Sequence, residues 1–196
     1  MTHDQQSLLS LGIITGSLRT DSVTKQLART LAEIAPAIFS PTFIEIGDLP
    51  LYNEDLDIEV RTEPPAAWAR FRNHVSTCDA ILFVTPEYNR SVPAPLKNAV
   101  DVGSAPHEHN AFAGIPAAIV SASPGRMGAF GANHHLRQSL VFLNMPTMQQ
   151  PELYLGESYD LFHEDGTVRD PAVEARLREY MTHFAHWAAL HNRVAV

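Results

Sequence analysis

A chain of 196 residues, 45% apolar and 18% charged, has the size and composition of one globular domain, 1–196, with a substantial core. Its formal net charge of -8, with the Lys and Arg residues scattered along the chain, argues against the basic face of a nucleic-acid binder. No apolar run reaches membrane-spanning length, Met1–Ser7 lacks a secretory pattern, and the single cysteine excludes an internal disulfide, so a cytoplasmic protein is expected.

The apolar run from Leu8 to Ile14, interrupted only by Ser10 and Gly12, predicts a strand buried on both faces. It passes through the turn Gly16-Ser17-Leu18-Arg19 into a helix with Val23, Leu27, Leu31 and Ile34 on one side. A helix start after a tight turn presents free backbone N–H groups at a positive dipole end, a ready seat for a phosphate. Ser17, Ser22 and Thr24 add hydroxyls there, and Arg19 adds a guanidinium. An ordinary capped helix with Arg19 in solvent is the other reading of the same residues.

A second strand is expected at Phe43–Ile46, ending in the loop Gly47–Asn53. The acidic stretch Glu54–Glu63 leads to Pro64-Pro65 and a helix carrying Trp68, Phe71 and Val75. Cys78 precedes the buried strand Ala80–Thr85 and reads as a packed thiol. The polar loop Pro86–Pro93 opens a helix through Val102, with Leu96, Ala99 and Val100 inward. A fourth strand, Ile115–Ala122, runs into the glycine-rich turn Ser123–Gly131 and a helix with Ala132, Leu136, Leu140 and Leu143 on one side. Pro146-Thr147-Met148 is expected to begin a short fifth strand. Asp165-Gly166 predicts a small hairpin, and Asp170-Pro171 caps a last helix with the stripe Val173, Leu177, Met181, Phe184 and Ala188.

Five alternations of strand and helix predict one parallel sheet with helices on both faces. In such a sheet ligands bind outside the carboxyl ends of the strands, where the order reverses. The loops Gly16–Ser22, Pro86–Pro93 and Ser123–Gly131 all lie at such ends. A phosphate seat without a Walker lysine or a G-x-G-x-x-G fingerprint, beside a loop able to read a flat ring edge, points to a mononucleotide such as FMN.

Three sets of residues carry a more specific resemblance. They are Gly16-Ser17-Leu18-Arg19 with Ser22; Pro86-Glu87-Tyr88-Asn89 with Ser91, Pro93, Leu96, Lys97, Asn98 and Asp101; and Ser121-Ala122-Ser123 with Gly125. Together, in this order, they resemble the NAD(P)H-dependent FMN reductase family, from about Leu9 to Pro151-Glu152. The resemblance implies a flavodoxin-like fold with a five-stranded parallel sheet in the order 2-1-3-4-5. It implies that Ser17, Arg19 and Ser22 hold the FMN phosphate, that Pro86, Glu87, Tyr88 and Asn89 line the ring, and that Ser123 borders it; Thr24, keeping a donor beside the phosphate seat, and Gly125, close to Ser123, are added to the cofactor-binding set. It also implies NADPH or NADH as reductant, a small-molecule acceptor such as a quinone, azo compound, metal oxyanion or free flavin, and a homodimer or homotetramer. Thr24 stands where the family usually has Asn, Arg90 where Gly is common and Val102 where Trp is frequent; Arg90 either meets an anionic substrate or points into solvent.

Hydride transfer to a flavin needs no dedicated protein base, so no catalytic residue is assigned, Glu87 included. Lys97 and Asn98 read as braces of a helix start. His107 with His109, His134 with His135, and His183 with His186 form no recognised ligand framework, and no metal is expected. A flavodoxin-like electron carrier without its own NAD(P)H oxidation is the alternative function.

Overall fold

The computed structural model describes residues 8–57, 63–106 and 109–192. The middle of the acidic stretch, Met1–Ser7 and His107 lie outside them. The strands β1 (Leu9–Thr15), β2 (Phe39–Phe43), β3 (Ala80–Thr85), β4 (Ala117–Ala122) and β5 (Leu153–Leu155) form one parallel sheet in the order β2-β1-β3-β4-β5. Helices α1 (Val23–Glu33), α2 (Ala66–Ser76), α3 (Ala94–Ser104), α4 (Phe130–Phe142) and α5 (Pro171–His191) cover it.

The period-2 alternation of the central strands divides the core in two. Ile13, Leu82 and Val84 face α1 and α5, where they meet Leu27, Leu31, Leu177, Met181 and Phe184. Ile14, Ile81 and Phe83 face α2, α3 and α4, where Trp68, Phe71, Leu96, Leu136 and Leu140 close over them. Asp170 caps α5 as expected, its Oδ1 accepting the Ala172 N–H at 2.8 Å, and Pro171 occupies the first turn. The Asp165-Gly166 hairpin is also present, with Phe162 bridged to Val168. Cys78 is a buried thiol whose ionisation burial pushes upward, as a packed cysteine should be.

Two strands differ from expectation. β2 pairs over Phe39–Phe43, before the expected Phe43–Ile46. The earlier segment is polar because an edge strand is half exposed, and the backbone bonds Leu9 N–H to Ile38 O and Ile44 N–H to Ile13 O put even-numbered residues toward β1. Pro41 therefore turns its missing donor outward, the position an edge strand tolerates. Ile44 and Ile46 are apolar because they pack against the α2 side just past the ladder. The fifth strand begins later than Pro146: Thr147 makes one isolated bridge to Ala117, and regular pairing starts at Leu153. Pro146 and Pro151, lacking N–H groups, cannot donate to a ladder along the intervening segment.

The buried Tyr180 hydroxyl donates to the Ile119 carbonyl at 2.8 Å, tying α5 to β4. Its burial raises the phenol's ionisation well above the ordinary value of 10.0. The folded state therefore holds this proton at pH values where the unfolded chain has released it, and stability falls as pH rises above about 10. Tyr180→Phe should cost about 1 kcal/mol at neutral pH, where the bond is lost, and make the alkaline decline shallower. Urea unfolding midpoints from pH 8 to 11 measure both effects, and an equally steep decline in the variant would contradict the assignment.

Candidate active site

β1, β3 and β4 are neighbours, so the loops leaving their carboxyl ends start side by side. The reversal of strand order lies between β1 and β3, which makes their loops the walls of the crevice. Gly16 lets the two walls touch. A Cβ there would stand 2.9 Å from Thr85 Oγ1, 3.1 Å from a Leu96 methyl and 3.2 Å from Pro86 Cδ. The Gly16 N–H also donates to Val84 O at 2.9 Å, fixing the start of the first loop to β3.

That first loop is built from its hydroxyls. Ser22 is the N-cap of α1, its Oγ accepting the Lys25 N–H at 3.4 Å and sharing a 2.9 Å hydrogen bond with Thr24 Oγ1. Ser17 Oγ accepts the Arg19 N–H at 3.3 Å, which curls the loop back on itself. Ser17, Ser22 and Thr24 are buried beneath the loop, while Leu18 and Arg19 are exposed on it. Buried hydroxyls, the open first turn of α1 and an exposed guanidinium with no ion pair among the described residues make the donor set a phosphate ester requires. On that chemistry the residues fit FMN at its phosphate end.

In the second loop, Tyr88 and Ser91 exchange both backbone hydrogen bonds, at 3.1 and 3.0 Å. Between them Asn89 and Arg90 have φ of 52° and 64°, a tight turn through the left-handed region. Asn tolerates that conformation; Arg carries a steric cost that Gly would avoid. Tyr88 is half exposed. Arg90 points into solvent with its side chain 77% exposed, one nitrogen 3.4 Å from Glu87 Oε1. Glu87 turns its carboxylate toward α4. Its side chain is only 9% exposed, and Oε2 accepts the Ala132 N–H at 3.2 Å in the first turn of α4.

The third loop is also held by its own groups. Ser123 Oγ accepts the Ala129 N–H at 2.9 Å and donates to Gly125 O at 3.3 Å, so its hydroxyl shapes the loop. Ser121 Oγ, missing from the expected site, donates to Gly128 O at 2.8 Å and accepts from Asn133 Nδ2 at 3.3 Å. Gly125 meets open space, with no atom within 4 Å of a Cβ placed there, whereas Gly128 has φ of 57° and backbone of β5 2.7 Å from such a Cβ. Asn98 fastens a fourth segment, Oδ1 accepting the Tyr52 N–H at 2.8 Å and Nδ2 donating to Leu49 O and Pro50 O. Lys97 pairs with Asp101 on the exposed side of α3. Among the described residues no three His, Cys, Asp or Glu side chains are grouped to hold a metal, and no helix is long and apolar enough to cross a membrane.

Known proteins match the chain along nearly its whole length. The sequence model of NADPH-dependent FMN reductases matches residues 9–160. The chain belongs to that family. It is therefore an NAD(P)H-dependent flavin enzyme of flavodoxin-like fold, with FMN as its cofactor, and not a passive electron carrier. A quinone reductase of Pseudomonas putida is 51% identical over 185 residues, covering 94% of this chain and 97% of the relative. A 2-hydroxy-1,4-benzoquinone reductase of Burkholderia is 38% identical over 179 residues, 91% of this chain and 96% of the relative. In structure, the chain superposes on FerB, a flavoenzyme NAD(P)H:(acceptor) oxidoreductase of Paracoccus denitrificans, with a TM-score of 0.87 at 33% identity, covering 95% of this chain and all of FerB.

Proposed function

We propose that this FMN reductase family member reduces quinones with electrons from NAD(P)H, and that the three loops at the ends of β1, β3 and β4 hold its FMN. The observation that carries this reading is the juxtaposition of the buried hydroxyls and Arg19 of the first loop with the braced Pro86–Ser91 loop across the switch point. When bound, FMN supplies hydride acceptance from the nicotinamide and electron donation to the quinone. The protein's work is binding and orientation. Ser17, Ser22, Thr24 and the α1 N-terminus take the phosphate, and Arg19 offers its guanidinium fork from the exposed side. Pro86 to Asn89 present backbone groups and the Tyr88 ring to the isoalloxazine, while Ser123 and Gly125 leave space along its edge. Glu87 serves as a brace through its bond to the Ala132 N–H, hydride transfer to the flavin needs no protein base, and the proton that completes the hydroquinone comes from solvent. The quinone relatives favour a planar, two-electron acceptor stacked where the nicotinamide was.

The experiment is a visible spectrum of the purified protein under anaerobic conditions. NADPH alone should bleach the flavin band, and a quinone added afterwards should restore it. Initial rates against both substrates should give parallel double-reciprocal lines. A protein that stays yellow with NADPH and NADH would overturn the proposal.

A further inference from the structure

The Tyr88–Ser91 turn is a strained object: two consecutive non-glycine residues, Asn89 and Arg90, sit at positive φ. Such backbone persists where its surroundings over-determine it. Here the surroundings are the first turns of α4, which grip the turn at three places. Glu87 Oε2 accepts the Ala132 N–H at 3.2 Å. Ser91 Oγ and His135 Nδ1 share a 2.9 Å hydrogen bond. Gly131 lies flat against the turn, so that a Cβ on it would stand 2.6 Å from the Arg90 carbonyl oxygen and 2.9 Å from Glu87 Oε2. The same helix start is fixed to the third loop, through Ala129 N–H to Ser123 Oγ, and to the end of β4, through Asn133 Nδ2 to Ser121 Oγ.

We infer that Gly131 and His135 are positioning residues for the flavin ring, acting through the Glu87–Ser91 turn and joining the second and third loops into one rigid wall. The inference rests on the proposed placement of FMN. Gly131 supplies the close approach and His135 the lateral tether; Ser91, fastened to His135, carries the tether to Tyr88 through their paired backbone bonds. Neither residue is within the phosphate loop, so the two ends of the cofactor should respond separately to substitution.

The test compares FMN with riboflavin, which has the ring and no phosphate, by fluorescence titration of the full chain. His135→Ala should weaken both ligands by a similar factor, about threefold to tenfold for one lost hydrogen bond, with the thermal midpoint little changed. His135→Asn, whose amide can occupy the Nδ1 position, should restore both affinities, which a merely structural role would not require. Gly131→Ala should weaken both ligands more, and at saturating FMN it should lower kcat for NADPH oxidation, because a misplaced ring spoils hydride geometry. Unchanged flavin affinities in His135→Ala, or an Asn variant no better than Ala, would overturn the inference. Failure of the underlying FMN placement reads differently: Arg19→Ala, remote from α4, would then leave the ratio of FMN to riboflavin affinity unchanged.

Discussion

Arg19→Ala is expected to weaken FMN binding by about tenfold to a hundredfold while leaving riboflavin binding nearly untouched. The guanidinium lies on the exposed crest of the first loop, with no ion pair among the described residues, and the hydroxyls of Ser17, Ser22 and Thr24 lie buried below it. A phosphate seated between them would gain a charge-assisted fork from above and neutral donors from beneath. Hydrogen bonds to charged groups contribute about 1.5–3 kcal/mol each, roughly twice a neutral bond, so the arginine should dominate. Arg19→Lys keeps the charge and loses the fork; it should fall between the wild type and Arg19→Ala. The protein's stability should move little, since the side chain is exposed and forms no ion pair among the described residues. Equilibrium dialysis of the full chain with FMN checks this, and retention of full affinity in the alanine protein would remove Arg19 from the site.

The strand, turn and helix of the first loop could be read from sequence because their signal is local. A buried strand, a short Gly-Ser turn and an amphipathic helix follow one another between Leu9 and Glu33, and Ser22 caps the helix as its position requires. β3 and the cap of α5 were legible for the same reason, each resting on one unbroken apolar run or one Asp-Pro pair. β2 was not, because an edge strand exposes the residues that pair and buries those just beyond the ladder, so apolar density marks the wrong segment. The direction of Glu87 was hidden too. Its partner, the Ala132 N–H, is 45 positions away, and the residue type fits a base, a ligand or a brace equally well. Gly131 gave only the generic mark of a glycine-rich turn; its close contact with Arg90 follows from how α4 packs. Arg90 as a residue type gave no sign of its left-handed backbone; the sign lay only in its standing where the family commonly has Gly. What sequence conveys here is which loops meet, and what it withholds is how each loop's polar atoms are spent among themselves.

The largest expected loss of stability comes from a pair outside the crevice. Asp57 and Arg72 form a two-pronged ion pair at 2.9 and 2.7 Å, with side chains 3% and 14% exposed. Arg72 also donates Nε to Val102 O at 2.8 Å, and its guanidinium lies 5.6 Å from the centre of the Trp68 ring. One side chain thus joins α2, the end of α3 and the segment that follows β2. The Trp68 indole donates to Pro50 O at 3.0 Å, and Tyr52, whose phenol is pushed upward first by burial and then by the Asp57 charge, packs on Trp68 at 5.3 Å. Asp57→Ala would leave the Arg72 cation enclosed without its counter-charge, which costs about 3–5 kcal/mol. For a chain of this size that lowers the thermal midpoint by roughly 6–20 °C. Replacing both partners, Asp57→Leu with Arg72→Met, removes the enclosed charge as well as the bond and should recover much of the loss, since a buried pair rarely outperforms apolar packing of similar volume. Thermal unfolding of the two variants decides it. A double variant no more stable than Asp57→Ala would mean that the Val102 and Trp68 contacts of Arg72, and not the ion pair, hold this corner of the fold.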